Sequence, residues 1–126
     1  MESSVKVINL EDKFSRFSDQ WSPKVIAELN GQAVKLAKVQ GEFVWHDHAE
    51  EDELFYVLRG TLVIAVEDGD DVELGPGELC VVPRGLSHCP RTVNGEEVWI
   101  LLLEPIGTKH TGEVEHELTV RDYQRL

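Results

Sequence analysis

From Lys24 onward the chain is cut into short runs of apolar, β-branched and aromatic residues, each ended within a few positions by Gly, Pro, Asn or Asp. Such runs are too short for helices, and their rhythm is that of an all-β sandwich or barrel. Asn30-Gly31 reads as a two-residue hairpin turn, because both residues tolerate positive φ. Beyond it the pattern predicts strands near 32–39, 42–48, 53–59, 61–67, 71–74, 78–83, 87–93 and 97–103. Turns fall at Gly41, Gly60, 68–70, 75–77, 84–86 and Asn94-Gly95. Ahead of this region, Leu10, Phe14 and Phe17 share a helical spacing before the Trp21-Ser22-Pro23 break, which predicts one short N-terminal helix over 10–17. A chain of 126 residues supports one hydrophobic core. It divides into an N-terminal arm (1–23), a β domain (24–106) and a polar tail (107–126) for which no regular structure is predicted.

Three runs are apolar at both odd and even positions: 54–58, 62–66 and 98–103. A strand with one wet face would alternate, so both faces of these strands must be covered. The interior covers one face; the N-terminal segment or a second copy of the chain covers the other, and a homodimer is expected. Trp21, Trp45, Trp99 and Tyr56 are assigned to packing or to that interface.

A net charge of −12 repels phosphate backbones and anionic bilayers, so neither nucleic acid nor membrane is expected as a partner. No leader-like or membrane-length apolar stretch is seen, which points to the cytoplasm. Cys80 and Cys89 are too few for a disulfide scaffold and are read as two small, reduced core residues.

The chemistry concentrates in four residues. His46 and His48 are two apart on a predicted strand, so both imidazoles lie on one face, with backbones about 6.6 Å apart at ~3.3 Å of rise per residue. Rings so placed can converge on one ion at bonds of ~2.1 Å, whereas Asp47 points to the other face. Glu53 opens the next apolar strand in phase with Phe55 and Val57, where a carboxylate needs a cation beside it. The neighbouring acids 50–52 read as a solvated loop. The turn Pro83-Arg84-Gly85-Leu86-Ser87 then delivers His88 to the start of another strand, facing inward with Pro90 and Thr92.

Taken together, Gly41, His46, His48, Glu53 and Gly60, followed by Gly77, Pro83, Gly85 and His88, resemble the two sequence motifs of the cupin superfamily. Two departures stand out. Four residues, not five, separate Gly41 from His46, and Thr92 occupies a position where the family has Asn. The resemblance implies a jelly-roll β-barrel, the double-stranded β-helix, with His46, His48, Glu53 and His88 as ligands of one divalent transition metal ion. More narrowly, the chain is similar to small bacterial cupins labelled as related to mannose-6-phosphate isomerase, a kinship of fold that does not define an activity.

Three imidazoles and a carboxylate suit Fe, Mn, Ni, Co, Cu or Zn. Two functions are compatible with such a centre: a metal-dependent enzyme of oxygenase or isomerase type acting on a small organic molecule, or a module that binds a metal or small ligand without turnover. The inward positions near the site read as Val44, Phe55, Val57, Pro90 and Thr92, an apolar lining suited to a hydrophobic or aromatic ligand. Lys35, Lys38, Arg84 and Arg91 read as solvated residues at strand ends, and His110 and His116 in the tail are assigned no role.

Overall fold

A computed structural model describes residues 5–126. Its elements, in chain order, are α1 (Leu10–Phe14), β1 (Lys24–Leu29), β2 (Gln32–Val39), β3 (Glu53–Arg59), β4 (Leu62–Val66), β5 (Val72–Leu74), β6 (Leu79–Val82), β7 (His88–Thr92), β8 (Val98–Pro105) and β9 (Gln124–Arg125). The fold is the all-β jelly roll that the strand rhythm and the two motifs imply, with one short helix before it. None of the described helices is long and apolar enough to cross a membrane.

Two sheets face each other, a six-stranded one in the order β6-β3-β8-β2-β1-β9 and a three-stranded one in the order β5-β4-β7. Between them lies a core of Ala37, Val39, Phe55, Val57, Leu62, Ile64, Leu74, Val98, Ile100 and Leu102. The β1–β2 hairpin turns at Asn30 and Gly31, with φ of 48° and 75°, as the Asn-Gly pair requires. Along β3 and β8 every second residue is buried, and the alternate residues are half-buried, which is how strands facing a core on one side are expected to look. In β4 four consecutive residues are buried, so both of its faces are covered.

The helix is shorter than its apolar spacing suggests. Asn9 caps it, accepting the Asp12 N–H at 2.8 Å, and it ends at Ser15, whose N–H reaches back to Glu11 O. Phe14 is fully buried and stacks on Trp99 at 4.6 Å, so the N-terminal arm covers the Trp99 end of the outer sheet face.

The predicted strand over 42–48 is not a regular strand. It runs beside β7 through isolated bridges, Glu42 to Arg91 and His46 to His88. The Phe43 N–H donates to Pro90 O at 2.9 Å, but proline has no N–H to return, so the ladder is broken there. Between Phe43 and His46 the pairing slips by one residue, a bulge that turns Phe43 as well as His46 toward the interior. The two departures from the family motif meet at the start of this segment. Gly41, at φ 85°, donates its N–H to Thr92 Oγ1 at 2.8 Å and accepts the Thr92 N–H at 2.9 Å, so the threonine side chain holds the turn.

The tail, for which the sequence pattern predicts no regular structure, is a structured part of the molecule. Its last strand, β9, pairs in parallel with β1, and Thr108 and Thr111 are buried. Tyr123 reaches back to donate its hydroxyl to Thr108 O at 3.1 Å. Gly112, at φ 58°, lies so close to the 46–48 segment that a Cβ there would sit 2.0 Å from Asp47 O.

Candidate metal centre

His46 and His88 are placed by their own backbones. Each donates its N–H to the other's carbonyl, at 3.0 and 2.9 Å, so their side chains leave the pair on the same side. The turn before β7 is tied to the same segment, since the Gly85 N–H donates to His48 O at 2.8 Å. His48 follows His46 by one alternation, with Trp45, Asp47 and Ala49 exposed between and beside them. Glu53 opens β3 on the core-facing side of the larger sheet. All four side chains are buried, and one ligand atom from each lies within 4.8 Å of all the others. The four residues singled out from sequence spacing are therefore brought together.

Their hydrogen bonds leave the inward nitrogens free. His46 Nδ1 lies 2.9 Å from Val44 O and His88 Nδ1 lies 2.9 Å from Leu86 O; a carbonyl can only accept, so both Nδ1 atoms carry the proton. Each Nε2 is left as a lone pair. Neither nitrogen of His48 has a partner, although both are buried. His88 Nε2 is 3.3 Å, and His48 Nε2 3.7 Å, from the same oxygen of Glu53.

Lone pairs and a carboxylate oxygen at this range repel unless something positive lies between them. Burial opposes protons on the rings: it is the largest influence lowering the pKa of all three histidines, and it holds His46 at about 3. Burial also pushes the Glu53 carboxyl upward, yet a single proton on it would satisfy one imidazole and leave the other orphaned. One divalent cation satisfies all four groups, and three neutral imidazoles with a carboxylate are a donor set that such an ion takes. The residues fit a metal.

Behind Glu53 stands a pair that the sequence reading missed. Glu104 on β8 and Lys35 on β2 are buried, with Lys35 Nζ 2.8 Å from Glu104 Oε1 and 3.6 Å from the centre of the Tyr123 ring. Burial first, and the nearby Glu53 next, push the Glu104 carboxyl well above its ordinary range, while Lys35 pulls it back. Lys35 is thus no solvated strand-end residue, and neither is Lys38, which is buried over the Phe17 and Trp99 rings and donates to Phe17 O at 2.7 Å. Arg84 is exposed as expected, and Arg91 pairs with Asp71 at the surface.

A cavity opens beside the four residues, lined by His46 and Glu53 together with Trp21, Phe43, Phe55 and His110, and by smaller apolar residues including Pro90. It is a small slot of about 380 Å³ counting its open mouth. The expected apolar lining is present in Phe55 and Pro90, but Val44, Val57 and Thr92 are buried elsewhere. The bulge at 43–46 puts Phe43 in place of Val44, stacked on Trp21 at 4.6 Å. Trp21 is therefore a cavity wall. His110, from the tail, is the other correction: it packs on Phe43 at 4.9 Å between ring centres and borders the slot.

The fold and this site agree with the comparisons. The model of the cupin domain matches residues 33–104, and the chain belongs to that family. It is 33% identical over 93 residues, 73% of its own length and 76% of the relative's, to the uncharacterized protein YdbB of Bacillus subtilis strain 168. Among solved structures, a cupin-2 domain containing protein of Shewanella frigidimarina shares 52% identity, with a TM-score of 0.75 over 79% of this chain and 94% of that one. Protein NMB1881 of Neisseria meningitidis shares 28% identity, with a TM-score of 0.71 over 79% of this chain and 99% of that one.

Proposed function

We propose that this cupin holds one divalent transition metal ion through His46, His48, Glu53 and His88 and acts with it as an enzyme of oxygenase or isomerase type on a small organic molecule. The observation that carries this reading is the set of inward lone pairs: three imidazoles that burial keeps neutral and one carboxylate converge, with His48 left no partner at all. When bound, the ion supplies Lewis acidity toward an oxygen-bearing ligand or, for a redox metal, access to dioxygen. The chain itself does the rest. Val44 O and Leu86 O fix the tautomers of His46 and His88, Lys35 and Glu104 back Glu53, and the aromatic walls keep bulk water from a ligand in the slot.

The finer parts of the proposal concern setting and assembly. An isomerase acting on a sugar is one arm of it, although the likeness to mannose-6-phosphate isomerase-related cupins is one of fold and carries no activity by itself. A cytoplasmic setting accords with the free thiols of Cys80 and Cys89. A homodimer is supported by the outer face of β6, β3 and β8, where Leu79 and Val81 are more than half exposed beside half-buried Leu54, Tyr56, Leu101 and Leu103. Light scattering at micromolar concentration tests this, and a monomeric mass removes it.

Metal analysis of untagged protein purified without chelators, beside a His46→Ala, His88→Ala double variant, tests the centre. About one metal ion per wild-type chain, lost in the variant, is expected; equal content in the two refutes the reading. Oxygen uptake and product formation across diols, keto-acids and sugars then test turnover. Tight ligand binding with no turnover on any of them identifies a binding module instead.

A further inference from the structure

We infer that His110, carried into the slot by the C-terminal tail, is the residue that selects the ligand by donating its Nε2–H to a ligand oxygen. The inference rests on the metal reading above and names the chemistry that the slot accepts. The tautomer is set by the fold. His110 Nδ1 accepts the backbone N–H of Val120 at 2.9 Å, so in the neutral ring the proton must reside on Nε2. No acceptor among the described residues is paired with that Nε2–H, and the atom is not among the fully buried ones without a partner, so it remains open to the slot. Burial, with Lys35 adding to it, keeps the imidazole uncharged at neutral pH, with a pKa of about 4.

The surroundings give this donor its weight. The walls of the slot other than His46, Glu53 and His110 are apolar, so once Glu53 and His46 face the metal the His110 N–H is the slot's one spare polar group. A donor left unpaired in such surroundings penalises a purely hydrocarbon ligand and favours one that offers an oxygen. The Trp21 and Phe43 rings, stacked on each other at 4.6 Å and 10° from parallel, form an aromatic wall of the slot. An aromatic or apolar part of a ligand can pack on that wall. The class so defined is a small molecule with an aromatic or apolar part that packs on this wall and an oxygen within reach of His110.

The tail is held where this role needs it. Gly112 touches the Asp47 carbonyl, Thr111 is buried, and Phe43 supports the ring from below. The test separates a ligand contact from a merely structural anchor by using two amides of different length. In His110→Asn the side-chain oxygen can still accept from Val120 as Nδ1 does, but nothing extends to the Nε2 position. In His110→Gln an N–H reaches the Nε2 position, while the acceptor for Val120 is lost.

Binding of 4-nitrocatechol to the metal-loaded full chain is measured by calorimetry, beside metal content for each protein. Equal metal in all three proteins is expected, with affinity falling about ten- to a hundredfold in His110→Asn and largely kept in His110→Gln. The reverse order, with Gln weak and Asn intact, makes His110 an anchor of the tail and overturns the inference. So does unchanged affinity in both variants, or wild-type protein that carries metal and does not bind 4-nitrocatechol. Wild-type protein without metal fails at the earlier step and overturns the metal reading together with this one.

Discussion

Replacing Lys35 by methionine keeps the length of the side chain and removes its charge. In the folded protein Lys35 is fully buried, 2.8 Å from Glu104, and no other cationic side chain is paired with that carboxyl. Without it, Glu104 stands beside Glu53 with one oxygen already lacking a partner. Removing one member of a buried ion pair costs about 3–5 kcal/mol, because the other charge remains uncompensated. At ~4 °C per kcal/mol for a chain this size, the melting temperature of the metal-free protein should fall by roughly 12–20 °C. The deficit has a signed pH dependence. Glu104 titrates above its unfolded value, so its contribution is present at low pH and is lost as pH rises through the folded pKa. Loss of Lys35 raises that pKa further, and the variant should be weaker at pH 8 than at pH 5.5 relative to wild type. A Lys35→Met, Glu104→Leu double variant, which removes both charges, should recover most of the loss. Urea and thermal unfolding of the three proteins at both pH values decide the matter. A single variant within about 1 kcal/mol of wild type, well short of the cost of an orphaned buried charge, or a double variant no better than the single, would refute the compensation argument.

Other expectations follow from the same geometry. Adding a chelator to metal-loaded protein should lower its melting temperature, and restoring the metal should bring it back; a melting curve indifferent to chelator speaks against bound metal in the core. His110 titrates below its unfolded value of 6.5, so the folded state takes up fewer protons than the unfolded chain and stability falls as pH drops from 6.5 toward about 4. Between pH 6.5 and 5.5 wild type should lose about 1 kcal/mol more than His110→Asn in urea titrations, and parallel losses would show that the ring is not held neutral. Gly112→Ala puts a Cβ against Asp47 O at a positive φ, which should cost about 1–3 kcal/mol. Hydrogen exchange at the Val120 amide should accelerate while metal content stays the same, and unchanged protection would mean that the tail does not depend on this contact.

The sequence carried the four candidate metal residues and left their supports silent, for reasons visible in particular side chains. His46, His48 and Glu53 were legible because strand alternation places them, and His88 because a Pro-x-Gly turn aims it. Glu53 was suspected because a carboxylate in phase with Phe55 and Val57 needs a cation, and the same test applies to two residues that were passed over. Glu104 is in phase with Ile100 and Leu102 on β8, and Lys35 with Ala33, Ala37 and Val39 on β2, so each charge sat on an apolar face in plain view. Their partnership could have been guessed from the need of each for the other. The bulge that swaps Phe43 for Val44 had only Pro90 as a signal, a proline in a strand whose neighbour then could not pair continuously. His110 had none. Its place depends on β9 joining β1 and on Gly112 meeting Asp47, contacts between segments remote in the chain that no local pattern encodes. The division has a physical origin: the four candidate metal residues are constrained by strand geometry at short range, whereas His110 arrives on a polar segment whose structure comes only from packing. The four candidate metal residues sit on β3, β7 and the bulged segment, and Gly112 meets the Asp47 carbonyl between two of them, so the tail packs with the site as one unit although no local pattern in the sequence joins the two.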